Sequence, residues 1–274
     1  MATEPDAVEP VLRELDQGVL LLTLNRPARN NGWTLGMENA YFDALAEGAA
    51  DPKVRVVVVT GAGRSFCPGI DMEVLSAAVG GTHLPTEDRR PMTFARTVPK
   101  PVIAAINGAC AGIGFIQACA ADIRFAARGA KLTTAFARRG LPAENSISWL
   151  LPRLVGAGRA ADLLLSSRVI LAEEAHAMGL VDHLSEPGQL MADAMAYARD
   201  MALNCSPHSM AAIKQQLVAD WERPAESSRL AAMQLVHELQ EEDDFSEGVR
   251  SFTDRRPPSY EGLSIDLGAP PHAP

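Results

Sequence analysis

The chain has 274 residues, 47% of them hydrophobic and 22% charged, with a net charge of −9 and a pI near 5.2. That is enough apolar material for one large domain or two small ones, and the acidic balance argues against a nucleic-acid binder, which needs a basic face. No apolar run approaches the roughly 18 residues of a membrane helix, and the acidic, polar start MATEPDAVEP does not read as a secretory leader.

In chain order, GVLLLTLN (18–25) reads as a strand. TLGMENAYFDALAEGAA (34–50) reads as an amphipathic helix, with Leu35, Met37, Tyr41 and Leu45 at helical spacing. VRVVVVTG (54–61) is a continuous β-branched run closed by glycine, which predicts a strand buried on both faces. AAVGGTHLPTEDRRP (77–91) has no periodicity and predicts a surface loop, with its DRR on a solvated face. PVIAAING (101–108) predicts a second buried strand. This alternation points to βαβ connections and a layered α/β fold. From Glu144 onward the pattern turns mostly helical, and a break near 187–205 divides a core at 1–190 from a helical part at 191–258. RRPPSYEGLSIDLGAPPHAP reads as extended or disordered, giving a tail at 259–274. The four cysteines, Cys67, Cys110, Cys119 and Cys205, form no C-x-x-C pair and no metal-ligand pattern. Reduced, mostly buried thiols in a cytoplasmic chain without a metal are expected.

Both buried strands run into Gly-rich turns, GAGRSFCPGIDM (61–72) and NGACAGIG (107–114). Neither turn matches the phosphate-cradling G-x-x-x-x-G-K-[ST] or G-x-G-x-x-G patterns. Either could serve only tight bends and close packing. As a pair beyond the carboxyl ends of two strands, they could instead aim two N–H groups at one oxygen, the layout of an oxyanion hole.

SFCPGIDM and KPVIAAINGACAGIGFIQACAADIRFA resemble the two signature segments of the crotonase (enoyl-CoA hydratase/isomerase) family. LNRP (24–27), WLLPRLVG (149–156), AEEAHAMGLVDHL (172–184) and DDFSEGVRSFTDRRPP (243–258) match further landmarks in order, so the resemblance covers roughly 15–258. It implies stacked ββα turns, a helical C-terminal trimerisation region, and a homotrimer or a hexamer built from two trimers. It implies a coenzyme A thioester as substrate, with no bound cofactor and no nucleic-acid or membrane partner. The thioester oxygen would be held by the N–H groups of Ile70 and Ile113. Cys67, Gly69, Asp71, Gly112 and Gly114 belong to the same loops, and Asp71 could also cap the next helix. Arg26 and Arg29 could meet CoA phosphates, and Phe252 and Arg255 could reach the CoA of the same or a neighbouring subunit. Trp33 reads as a core aromatic.

The sequence then departs from the family pattern. The two glutamates used by the best-known hydratases fall at Ile116 and Phe136, and neither side chain can move a proton. Glu144 stands where dienoyl-CoA isomerases and a benzoyl-CoA dehalogenase carry an aspartate, so the resemblance assigns it the acid/base role. Its plain alternative is an acid favoured by a helix N-terminus. Asn145, Ser146 and Ser148 could orient a water or cap that helix. Arg138 and Arg139 read as a solvated face or ion-pair partners, His176 and His183 as packing or surface residues, and His83, in the 77–91 loop, as a low-ranked candidate. The expected function is thus of the hydratase/isomerase type with one acid/base. Isomerase, CoA-thioester hydrolase and non-catalytic acyl-CoA binder are the alternatives.

Overall fold

The computed structural model describes residues 9–78 and 89–267. His83 and most of the 77–91 segment lie outside them.

The first two strands form a hairpin. β1 (Val11–Asp16) pairs antiparallel with β2 (Val19–Leu24) through Gln17 and Gly18, with φ of 49° and 81°. Two left-handed residues are the turn whose twist suits a hairpin. The sequence reading missed β1, although a two-residue turn ending in glycine was its signal. α1 (Leu35–Ala50) starts at Thr34, whose hydroxyl accepts from Met37 N at 3.2 Å. Met37, Tyr41, Phe42 and Leu45 are buried on it, whereas Leu35 is exposed.

The next elements come in repeating turns. β3 (Val56–Gly61), β4 (Ser65–Cys67) and α2 (Met72–Ala78) make the first. β5 (Val102–Ile106), β6 (Ala109–Ala111) and α3 (Ile113–Ala120) make the second. β7 (Ile123–Ala127), β8 (Lys131–Thr133) and α4 (Ile147–Val155) make the third. α5 (Ala157–Ser166), β9 (Ile170–Leu171), α6 (Ala172–Ala177) and β10 (His183–Ser185) follow. The leading strands join a six-stranded sheet in the order β1-β2-β3-β5-β7-β10, parallel from β2 onward. The second strands join a separate sheet, β4-β6-β8-β9. Each turn therefore steps from one sheet to the other and returns by a helix. β3 and β5 are buried at every position, as their unbroken apolar runs require.

α7 (Leu190–Asn204) does not open a separate helical part. Its Leu190, Ala194, Ala198 and Ala202 pack on Val56, Val58, Ile103 and Phe125 of the large sheet. The expected division at 190/191 therefore falls inside one packed unit. The helices beyond it are α8 (Pro207–Ala219), α9 (Ala225–Gln240) and α10 (Asp243–Asp254). The expected tail is extended through 267 but tied down: Ile265 N donates to Ala49 O at 3.1 Å and Ser264 Oγ to Ala50 O at 2.6 Å. The DRR expectation also changes. Arg89 pairs with Glu38, and Arg90 pairs with Asp43 at 2.7 Å and lies over the Phe94 ring.

Candidate active site

Gly69 lies in the loop between β4 and α2, and Gly112 is the residue just before α3. Their φ values, +104° and +52°, belong to the region an L side chain avoids. The two loops meet there, because a Cβ on Gly112 would lie 3.6 Å from Gly69 Cα. Gly114, two residues further on, packs against the Cys67 backbone.

This arrangement frees two donors. Ile113 is the first residue of α3, so the helix offers its N–H no partner. Ile70 forms an isolated parallel bridge with Trp33, in which Trp33 N donates to Gly69 O at 2.8 Å and Asp71 N to Trp33 O at 2.9 Å. Both bonds use the atoms flanking Ile70, so its own N–H faces the other way. Among the described residues neither N–H has an acceptor. Ile70 and Ile113 line one cavity of about 510 Å³.

The walls of that cavity bring together Arg29, Gly69, Asp71, Gly112, Phe136 and Glu144 from the expected set, with Met72, Leu75 and Leu141 adding apolar surface. Glu144 is partly buried, and desolvation pushes its carboxyl above its ordinary value. Asp71, the only other carboxylate among the lining residues described, behaves oppositely. Its side chain is 3% exposed and bonds Arg29 at 3.0 Å, Arg26 at 3.0 Å and Glu73 N at 3.0 Å. The Arg29 guanidinium is the main cause that holds it down at about 2.

Several expected residues stand elsewhere. Ile116 is fully buried on α3 and forms no part of the cavity wall. Cys67 is likewise interior, and burial pushes its thiol up to about 12. Arg26 does not line the cavity: it compensates Asp71 and donates to Gly32 O. Phe252 is 86% exposed, and Arg255 is exposed at the end of α10. Neither touches the cavity in the single chain. Asn145 and Ser146 adopt left-handed φ of 50° and 62°, and the Ser146 side chain makes no cap bond. Arg138 donates to Ser166 O, whereas Arg139 lines the cavity.

Sequence reasoning missed Asn31. It is fully buried, accepts from Arg26 N at 2.9 Å, and donates to Ala62 O at 2.9 Å and Ser65 O at 2.7 Å. It fastens the 25–34 turn to the first Gly-rich loop, and no local signal marks so remote a pairing. A second cavity of about 520 Å³ shares Asn30 and Pro68 with the first, and carries Arg64, Arg128 and Lys131. Among the described residues no group of three His, Cys, Asp or Glu is placed to hold a metal.

Comparison with known proteins accounts for this architecture. The model of the family described as enoyl-CoA hydratase/isomerase matches residues 14–263. A probable enoyl-CoA hydratase of Rhodobacter capsulatus is 36% identical over 253 residues, covering 91% of this chain and 96% of the relative. The 1,2-epoxyphenylacetyl-CoA isomerase of Escherichia coli K12 is 33% identical, covering 93% and 99%. Among solved structures, a probable enoyl-CoA hydratase/isomerase from Mycobacterium abscessus superposes with a TM-score of 0.85 at 32% identity, covering 92% and 98%. With two sheets wound by repeated ββα turns and a helical C-terminal region, the chain is a member of the crotonase, or enoyl-CoA hydratase/isomerase, family.

Proposed function

We propose that the chain acts on enoyl-CoA thioesters, holding the thioester oxygen with the N–H groups of Ile70 and Ile113 and moving the proton with Glu144 alone. The observation that carries this reading is the meeting of two unpaired backbone donors and one desolvated carboxylate on a single cavity. A carboxyl raised toward neutrality is a better proton carrier than an ordinary one. Asp71, held at about 2 by its arginines, stays ionised and structural.

The proton path is short. With a 3-enoyl thioester, Glu144 takes a proton from C2, and the electron pair moves onto the thioester oxygen as an enolate. The two N–H donors stabilise that charge. Glu144 exchanges the captured proton with solvent while the enolate is held, then delivers a proton at C4, and the double bond has moved. Hydration needs more of the same group: Glu144 would take a proton from the attacking water and deliver it at C2. With Ile116 and Phe136 where the family's two glutamates stand, the lone carboxylate favours double-bond migration as the second reading beside hydration. CoA-thioester hydrolysis would use Glu144 on water or on the thioester carbonyl.

The second, basic cavity supports a further assignment. Arg64 and Lys131 suit the CoA phosphates better than Arg26 and Arg29, which are engaged with Asp71, and better than their neighbour Arg128, which pairs with Glu186 at 2.8 Å. The outer helices support a homotrimer or a hexamer of two trimers. α9 buries no residue, and Leu230, Met233, Val236, Phe245, Val249 and Phe252 are exposed. Four free cysteines support a cytoplasmic location; among the described residues no helix is long and apolar enough to cross a membrane.

The test is incubation with a panel of 2-enoyl- and 3-enoyl-CoA thioesters in heavy water, followed by mass spectrometry. Gain of one water identifies a hydratase; deuterium without water identifies an isomerase. A panel that only loses CoA identifies a hydrolase, and tight binding with no change in any thioester identifies a binder.

A further inference from the structure

One turn into α1, the helix buries a carboxylate that the proposed reaction does not use. Glu38 is 1% exposed. A charge in that position is costly unless both oxygens are compensated, so its partners indicate what it holds. Oε2 accepts from the Trp33 indole N–H at 3.0 Å, and Oε1 from Arg89 Nε at 2.6 Å. A terminal N–H of Arg89 also reaches Oε2.

Both partners bear on the same stretch of chain. Trp33 carries, through its backbone, the two bonds that register Gly69 and Asp71 and so turn Ile70 N–H away from them. Its ring is wedged edge-on to Tyr41 and Phe42, at 5.7 and 6.4 Å. Its polar edge is fixed by Glu38. Ile70 leads into α2, whose Met72 and Leu75 line the cavity, and Arg89 pairs with Glu38 from the other side. Arg90 repeats the anchorage on α1 through Asp43.

The geometry points to Glu38 as a positioning residue, whose carboxylate, itself held by Arg89, fixes the Trp33 ring and, through the Trp33 backbone bridge, the direction of the Ile70 donor. This rests on the reading of Ile70 as a thioester donor. An apolar core would hold α1 in place as well or better. What the ion pair adds is direction, and a misplacement of about 1 Å costs on the order of a hundredfold in rate.

The experiment compares Glu38→Gln, Arg89→Met, Arg89→Lys, the double variant Glu38→Gln/Arg89→Met and Ile113→Pro on whichever enoyl-CoA thioester the panel shows to react. Kinetics are taken on protein shown to be folded by circular dichroism. Glu38→Gln and Arg89→Met are each expected to lower kcat about tenfold or more, with KM moving less than threefold. The double variant should be no worse than the poorer single, and Arg89→Lys should recover part of the loss. Wild-type kcat in both single variants, or losses that simply multiply in the double, would overturn the assignment. If Glu38→Gln does not fold, Arg89→Met and Arg89→Lys decide, because Arg89 is 26% exposed in its side chain and outside the core. Ile113→Pro removes the other donor without touching Glu38. Should it leave kcat unchanged, the donor reading falls and takes this inference with it. Should it cost activity while Glu38→Gln and Arg89→Met do not, only the positioning role is lost.

Discussion

At the scale of single residues, the account turns on two groups, the Glu144 carboxyl and the Ile113 N–H, that can each be removed without touching the other. Glu144→Gln deletes the proton carrier, and a loss of about 100- to 10,000-fold in kcat is expected, with acyl-CoA binding by calorimetry retained. The same variant carries a stability signature. Burial raises the Glu144 carboxyl in the folded chain, so its contribution is fully present below the unfolded value and lost as pH rises through the folded one. Glu144→Gln should therefore raise the melting temperature at pH 7 and leave it unchanged near pH 4; a uniform shift would contradict the burial. The Ile113 donor allows an equally clean deletion. Ile113 is the first residue of α3, a position where proline is tolerated because the helix does not use that N–H. Ile113→Pro should cost about 100- to 1000-fold in kcat while far-UV circular dichroism stays unchanged.

At the scale of elements, the site is two loops held in register by buried polar staples. Asp71 ties the 25–34 turn to the start of α2 through Arg26 and Arg29. Asp71→Asn should lower stability by about 2 kcal/mol, read as a lower urea midpoint at unchanged m-value. Because the arginines depress the Asp71 carboxyl to about 2, its contribution is present above the unfolded value of 3.8 and lost as pH falls toward 2. The deficit of the variant should thus vanish in acid. Much at this scale was legible in sequence. The β-branched run at 54–61 and the Gly-rich turns after 60 and 106 gave two strands and two loops. The pairing of Asp71 with Arg26 was not legible, since an aspartate in a turn reads first as a local cap and its partner lies far away in the chain. Glu38 was hidden for the opposite reason. A glutamate in the first turn of a helix is what a surface helix shows, and only the fold brings Arg89 and Trp33 to it.

At the scale of the molecule, the spiral core buries its strands, while the last helices leave their apolar residues outside. Length and periodicity were enough to foresee layered α/β turns followed by helices. They did not foresee that α7 would pack on the large sheet, because an alanine-rich helix face looks alike on a core and on a partner. α9 is the part that a lone chain does not explain. Val236→Asp adds charge to a side chain that is exposed in the monomer, so a monomeric protein should not notice it. If Val236 lies in the interface of the proposed trimer or hexamer, the variant should instead shift the assembly to smaller species by light scattering. At the basic cavity, Lys131→Ala should raise KM for the CoA thioester about tenfold at constant kcat, the loss of one charge-assisted contact.

The measurement closest to the centre is deuterium incorporation into enoyl-CoA thioesters in heavy water, wild type against Glu144→Gln, read by mass spectrometry. The account predicts rapid incorporation, with or without the mass of a water, by the wild type and almost none by the variant, which still binds the thioester. Incorporation by Glu144→Gln at the wild-type rate would contradict it and would move the proton to another group.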